Sequence, residues 1–577
     1  MLKDCFQLLL KNKIIVLLYL LLFLGINAYM YDNFTKWIII FEDDFTFYDG
    51  VENSLRAGYF SFFFFTVLAY EYFKKWKKDG LCEINRMLSE KRVFGCQFTV
   101  LLALVTIYFF NMLVWNIVCY RVYGIHDKTV LGIIVSNVVL YGLLVNLLGV
   151  LVGYVMTLIP SEKFAVLAIL FVFILVSPIM SMIADSVSTV EFNAYSFIKW
   201  FYILPQGLNL SPNHYCPFFR TAADFFIVLF WCVICLCFCI VHFYGRAIRK
   251  ISTIVIMVCI AGFCAYEARY ITSGDAVWYD FEHFTGSHCL YYEDAPVKEK
   301  QVDYSVERYD LDINVKHKMK AKVQVTLTKE AEGEYCFTLY HQYRLRRIEN
   351  AEGKSLDFKR ETDYVTIYPK GDMKSLTFWY EGDAGGFYSS DDGMNLPGYF
   401  CYYPIPGFYQ VYDYDAREFL LHNMEKAQYH LTVNQEVFCN LKQIGKYEYE
   451  GKTDGLEIVK GVLKELNYRG VRVIYPYTGF QNVYAEEHMK ENVDKLLELE
   501  QAGDYAYTLV GKTVFSSAPI NSDRYYTYGS DWAAVNSFGY VSKDMLAIYQ
   551  YYLQNEENVS NSYYWDEIDV DEEGYDE

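Results

Sequence analysis

Two apolar runs flank KKWKKDGLCEINRMLSEKR, Lys74 to Arg92, a segment that carries seven Lys and Arg. A basic segment between two stretches that can cross hydrocarbon is held on the cytoplasmic side of a membrane, and that assignment sets the direction of every other crossing. The segment also has an internal order. After a basic first turn and a break at Asp79-Gly80, Leu81, Ile84 and Leu88 follow at spacings of three and four, which puts them on one face of a short helix. The pattern fits an amphipathic cytoplasmic helix parallel to the membrane, and it also fits a solvated basic loop that only orients the chain.

Seven uncharged or nearly uncharged runs are long enough to span, at about 14–31, 57–73, 93–118, 130–159, 164–184, 225–244 and 251–268. Ahead of them MLKDCFQLLLKNK, residues 1–13, places Leu2, Phe6, Leu9 and Leu10 on one side, as in a helix lying along the inner surface. A cleaved leader would need a shorter apolar core and a small-x-small site at its end. With the amino terminus inside, seven crossings put the residues beyond about 270 outside. The segments assigned to the inside hold 14 Lys and Arg and the short outer loops hold 6, an asymmetry in the required direction. Glu71, just before the basic segment, sits at the inner interface as a neighbour of the lysines that follow it. Asn137 and Asn146, inside the fourth run, are expected to bond to adjacent helices.

Residues 1–268 carry 20 Lys and Arg against 17 Asp and Glu, whereas the remainder carries 31 against 53. The second half is therefore strongly acidic, which argues against nucleic acid and against docking on anionic lipid. Its pattern also changes. Tyr304 to Lys329 gives two period-two runs joined by a polar turn, and YCFTLY, SLDFKR, DYVTIYP, SLTFWYEG, AQYHLTV and VRVIYP follow between Gly, Asp and Pro, as in a β-sandwich-like domain. A helix is expected over about 486–501. The expected division is a surface helix at 1–13, a helical polytopic membrane domain of about seven spans at 14–268, a linker at 269–302, a mainly β extracellular domain at 303–480, a short α/β extension at 481–555, and an acidic disordered tail at 556–577.

The membrane half resembles ABC-2-type permeases, the membrane subunits of ATP-binding cassette transporters. The resemblance rests on the amphipathic first helix and on the basic loop after the second span, where Gly80, Leu81, Glu83, Ile84, Leu88 and Arg92 occupy the positions of that family's docking stretch. It implies a cytosolic ABC ATPase as partner, a second permease subunit of the same or a different kind, and membrane lipid around both. The external half resembles the amino-terminal β-domain of M1-family (gluzincin) aminopeptidases over about 300–480. ERYDLDINVKHKMKAKVQVTLTK corresponds to the opening hairpin, SLTFWYEG to a later strand, and PGYFCYYPIPG to an aromatic-proline turn.

Chemistry-bearing motifs are few. H-E-x-x-H, which gives zinc two imidazoles on one helix face, is absent from the sequence, and so is the phosphate-cradling GxxxxGK[ST]. Cys232, Cys235, Cys237 and Cys239 lie in an apolar run without charged or His partners and read as small apolar residues. His283 and His288 lie in a Tyr-rich stretch, His488 falls on the expected helix, and Tyr563 opens an aromatic cluster. None completes a ligand or catalytic set, so no catalytic residue, metal or cofactor is expected. The sequence favours a non-enzymatic permease subunit of an exporter in the cell membrane, with an outer domain that captures or gates an unknown substrate. A membrane-anchored sensor or binding protein is the alternative, and a surface metallopeptidase fits less well.

Overall fold

In the computed structural model, the residues described are 2–39, 47–78, 90–122, 128–187, 194–204, 222–243, 247–268, 291–292, 295–476, 485–516, 526–535, 549–550 and 553–554, without 178, 202, 317, 332, 383–386, 388, 390–392, 415–417, 421–423, 504 and 506. They fall into two compact units, one formed chiefly by residues 1–275 and the other chiefly by 276–577.

The first unit is helical. Helix α1 (Leu2–Lys11) is followed by α2 (Lys13–Ile39), α3 (Phe47–Lys78), α4 (Glu90–Val122), α5 (Lys128–Asn137), a π-helical segment (Val138–Leu144), α6 (Val145–Met156), α7 (Glu162–Val176), α8 (Ile179–Val187), α9 (Tyr195–Ile198), α10 (Ala222–Phe243) and α11 (Ala247–Ala268). Five stretches are long and apolar enough to cross a membrane: 13–32, 92–122, 130–156, 222–239 and 251–268. All seven expected runs are helical, but two do not meet that measure. The α3 run is built from Phe and Tyr more than from aliphatic residues and ends in Glu71 and lysines, and α7 is 15 residues long with a break at Ser177 before α8. In α1 the apolar residues divide: Leu2, Phe6 and Leu10 are exposed, while Leu9 and Cys5 are buried. Tyr72 of α3 ties α1 down by donating to the Cys5 carbonyl at 3.0 Å.

The tightest helix pair joins α3 to α6. Gly149 and Gly153, four residues apart, share one face of α6, which lets the two backbones approach. A Cβ at Gly149 would stand 2.9 Å from the Phe62 carbonyl oxygen, and one at Gly153 would stand 2.8 Å from Ala69 Cβ and nearer still to the Thr66 oxygen. Phe73 closes the same pair at its other end, with its ring 4.9 Å from that of Tyr154.

The second unit opens with the expected hairpin, Val306–Val315 and Met319–Leu327, paired antiparallel. A seven-stranded sheet forms around it in the order 442–445, 448–453, 427–433, 306–315, 319–327, 375–382, 344–349. Strand 427–433 runs parallel to 306–315. A four-stranded sheet (358–361, 364–367, 335–338, 405–406) packs on its inner face, with Phe337 against Phe378 at 5.1 Å. The core is rich in tyrosine, and backbone carbonyls accept its hydroxyls. Tyr309 donates to Pro404 O at 3.0 Å, Tyr380 to Tyr402 O at 2.8 Å, and Tyr402 to Leu456 O at 2.6 Å. The aromatic-proline turn is thus the centre of this core.

The remaining sheet, in the order 463–468, 471–476, 513–516, 532–535, 526–528, is covered by helix α12 (Ala485–Gln501). Met489, Val493, Leu496 and Leu497 are buried with Val473, Val514 and Ala533. VRVIYP pairs in parallel with Thr513–Ser516 across the helix, so the change of sheet falls between residues 460 and 463. Cys336, Cys401 and Cys439 are buried free thiols.

Gly153→Leu should force α3 and α6 apart at a cost of about 1–3 kcal/mol. The expected result is a clear drop in the thermal stability of the full chain in detergent, with Gly262→Leu, at a position with nothing within 4 Å of an added Cβ, close to neutral.

Candidate functional site

Three polar clusters stand out, one in the helical unit and two in the mainly β unit. In the helical unit, the sequence-derived docking positions Gly80, Leu81, Glu83, Ile84 and Leu88 lie outside the described residues. Arg92 lies in the first turn of α4 and is exposed. Glu71 is half-buried on α3, and Lys74 Nζ lies 3.5 Å from its Oε1 and 3.2 Å from Glu162 Oε2 at the start of α7. Lys74 thus lies between Glu71 and Glu162, which brings residues 74 and 162 to the same end of the bundle.

The bundle interior is more polar than lipid anchoring demands. Asn137, at the start of the π segment, is 1% exposed and neither atom of its amide has a partner. Asn146, just after the segment, donates to Tyr141 O at 3.1 Å and Gly142 O at 2.9 Å. Those carbonyls lie in the π segment, where the altered register changes the helical bonding, and Asn146 supplies a donor from the same helix and not from a neighbour. Its own Oδ1 has no partner. Trp115 on α4 donates to Asn27 Oδ1 on α2 at 2.9 Å.

In the mainly β unit, residues 291–292 lie ahead of the first strand. Tyr292 donates to Asp363 Oδ2 at 2.9 Å, Asp363 Oδ1 accepts from the His341 backbone N–H at 2.6 Å, and the Tyr291 ring stacks on His341 at 3.9 Å. Arg360 beside them donates to Leu339 O and Tyr340 O at 2.9 and 2.7 Å and to Tyr343 O. Every strong group here is engaged with the fold itself, so the cluster fastens the chain and presents no reactive atom.

The third cluster joins the β-domain to the extension. Asp454 accepts from the Ser530 N–H at 2.8 Å and from Trp532 Nε1 at 3.2 Å, and Thr453 donates to Asp531 at 2.6 Å. Lys512 donates to Ser530 O at 2.6 Å with its ammonium 3.9 Å from the Tyr507 ring centroid, and burial pulls its pKa down to about 8. Burial likewise raises Asp531. Glu457 is fully buried and its carboxyl is pushed up to about 8; its Oε2 accepts from Gly398 N at 2.7 Å and its Oε1 has no partner. Asn395 and Ser389 are also wholly buried with side-chain atoms unpartnered. Sequence reasoning passed over Glu457 and Lys512. The available signal was a single ionisable residue inside an apolar run, in LEIV and in LVGKTVF.

Among the described residues, no group of three or more His, Cys, Asp or Glu side chains is placed to hold a metal ion. His283, His288 and Tyr563 lie outside the described residues, and His488 lies within α12.

No family model matches the sequence, and no curated protein matches it. Among solved structures, an M1 zinc metallopeptidase from Deinococcus radiodurans aligns at 13% identity and a TM-score of 0.27, covering 42% of this chain and 62% of that one. Legionella pneumophila aminopeptidase A in complex with aspartic acid aligns at 13% identity and 0.31, covering 42% and 32%. An aminopeptidase N family protein from Idiomarina loihiensis aligns at 11% and 0.26, covering 39% and 42%. The chain spans less than two thirds of the length of each of these proteins. At these scores the likeness bears on neither activity nor site.

The buried carboxyl gives the mainly β unit a pH dependence of defined sign. Between about pH 5 and 8 the unfolded chain has Glu457 ionised while the folded chain keeps its proton, so stability falls as pH rises through that window. Lys512 acts oppositely above about pH 8, where the unfolded chain binds the extra proton. Glu457→Gln should remove the falling limb, with a gain on the order of a few kcal/mol at pH 8 and little change at pH 5. Denaturant unfolding of the full chain followed at the two pH values checks this.

Proposed function

We propose that the chain is the membrane-spanning permease subunit of an ABC-type exporter, energised by a separate cytosolic ATPase, with the second unit outside the cell for substrate capture or gating. The observation that carries this reading is the polar interior of the helical unit. An unpartnered amide costs free energy in an apolar surrounding, and Asn137 bears that cost beside an irregular helical segment in the middle of a span. An anchor has no use for such a group. A bundle that opens around a polar solute does, because the solute or water then supplies the missing bonds.

An ATPase that closes on nucleotide moves such a bundle only through a cytoplasmic element, and Lys74 to Arg92 is the long inner segment available. Leu81, Ile84 and Leu88 supply the apolar contact and the flanking Lys and Arg the attraction to lipid headgroups and acidic residues, with Gly80, Glu83 and Arg92 framing it. The alternative of an anchored sensor predicts no ATPase partner. An ATPase reading frame beside that of this chain is expected. Ile84→Asp with Leu88→Asp puts charges into a desolvated contact and should weaken co-purification of that ATPase about a hundredfold or more, with membrane insertion unaffected. Full recovery of the ATPase with the double variant would return the segment to the role of a topology signal.

A further inference from the structure

Cys336 lies in strand 335–338 of the four-stranded sheet, where its ladder partner is Thr366. Phe337, the next residue, packs toward the seven-stranded sheet against Phe378, so Cys336 falls on the opposite, outer face together with Tyr364 and Thr366. On that face Thr366 is half-buried, and Lys359 across from it is exposed. Cys336 is nevertheless wholly buried, in a small cluster with Tyr364, Phe408 and Val302. Its cover is the segment 298–302, ahead of the first strand. Lys298 N–H donates to the Tyr364 hydroxyl at 3.0 Å, its Nζ pairs with Glu361 at 2.9 Å, and Lys300 and Phe408 exchange backbone hydrogen bonds of 3.0 and 2.9 Å.

The side chain of Lys300 completes this cover. Its Nζ donates to Cys336 Sγ at 3.1 Å and stands 5.9 Å from the Phe408 ring centroid. The backbone of Cys336 is clamped as well. Its N–H donates to the Tyr304 hydroxyl at 2.7 Å, and its carbonyl accepts from that hydroxyl and from the Gly407 N–H, both at 2.9 Å. The sulfur is therefore held against the amine, whereas the Cys439 thiol is turned to a backbone carbonyl, Leu441 O, at 3.8 Å. A thiol sealed in an apolar core is inert toward oxidants. Cys336 instead lies on an outer face beside a cation, under a short segment whose few bonds open locally at far less cost than the sheet beneath.

We propose that Lys300 and Cys336 form a covalent modification site, at which hydrogen peroxide joins Nζ to Sγ as a sulfenamide and fastens the segment 298–302 to the sheet. In the first step the sulfur attacks peroxide. The O–O bond breaks, an S–O bond forms, and the thiol proton leaves with the displaced oxygen as water, which gives the sulfenic acid. In the second step the lone pair of the neutral amine attacks the sulfur. The N–S bond forms, the S–O bond breaks, and the hydroxide leaves with a proton from nitrogen as water. The sum is one amine, one thiol and one peroxide giving one sulfenamide and two waters, with the two electrons lost by sulfur taken up by peroxide. Because the amine is already in place, it meets the sulfenic acid ahead of reagents from solution. Two equivalents of a small thiol reverse the link, returning amine and thiol and forming one disulfide of the reagent. The inference does not depend on the transport reading.

The test treats the full chain in detergent with graded hydrogen peroxide, with dimedone as the trap for sulfenic acid and peptide mass spectrometry as the readout. The expected result is a pair of peptides joined through Lys300 and Cys336, lighter than their sum by the two hydrogens lost in the oxidation, and separated again by dithiothreitol. Lys300→Gln should abolish the joined pair and raise dimedone labelling of Cys336 about tenfold or more. Lys300→Arg, which keeps the charge without the nucleophilic amine, should behave as Lys300→Gln does, so the loss is not one of folding. Oxidation should raise the unfolding midpoint of the mainly β unit by roughly 5 °C or more in the unsubstituted chain and leave it unchanged in both variants. Recovery of Cys336 as a free thiol at peroxide levels that convert exposed methionines to sulfoxide would overturn the proposal. A disulfide from Cys336 to another cysteine, or equal dimedone labelling with and without the Lys300 amine, would overturn it as well.

Discussion

Hydrocarbon offers no hydrogen bonds, so every backbone group that enters it must be bonded within its own segment, and the first half of this chain is arranged around that condition. It explains why the apolar runs are all helical and why each departure from regular helix is compensated. The π segment at Val138–Leu144 has Asn146 donating to two of its carbonyls, and the turn that ends α7 at Ser177 is bonded back to Ile174. Helices whose backbones are satisfied still need a reason to associate, and Gly149 and Gly153 supply it by letting α6 lie against α3. Asn137, with both atoms of its amide unpartnered where Asn146 lacks a partner only at Oδ1, carries the functional reading.

The mainly β unit solves a different problem with the same rule. Its core is built from Tyr309, Tyr335, Tyr380, Tyr402, Tyr403 and Tyr429, which bring large apolar area but also a hydroxyl each. Burying those hydroxyls is tolerable because each finds a partner: carbonyls of the irregular segment around residues 399–408 accept from Tyr309 and Tyr380, Leu456 O accepts from Tyr402, the Tyr403 and Tyr429 hydroxyls bond to each other, and the Tyr335 hydroxyl accepts from the Ala331 N–H. The turn and the tyrosines thus depend on one another. The seam to the extension is less fully satisfied, with Glu457 and Asn395 each holding a buried unpartnered atom, so stability there varies with proton concentration.

Much of this architecture was legible in the sequence because it is written in period and charge. The apolar runs marked the helices, the alternation in Tyr304 to Lys329 marked the central hairpin to within a residue or two, and the position of Glu71 beside Lys74 foretold their pairing. What escaped has a weak local signature or none. VRVIYP alternates like its predecessors, and only its parallel partner across α12 shows that it belongs to another sheet. The break at Ser177 falls just before Pro178, a local signal that the apolar length of the run outweighed. Burial of Glu457 and Lys512 depends on which strands and turns close over them, and composition does not record that. The docking positions from Gly80 to Leu88 lie outside the described residues, so the sequence remains the ground for that part of the account.

The central claim is that one chain places a helical unit in the membrane and its mainly β unit outside, with the amino terminus inside. Single cysteines at Glu352 and Lys370, both exposed in the mainly β unit, and at Lys75 and Lys163, both exposed in the helical unit and assigned to the cytoplasmic side, test it in a chain whose Cys82, Cys216, Cys259 and Cys289 are replaced by Ala. Intact cells are treated with a membrane-impermeant maleimide. The account predicts labelling at 352 and 370 without permeabilisation and at 75 and 163 only after it. Protection of 352 and 370 in intact cells, with labelling at 75 and 163, would contradict it.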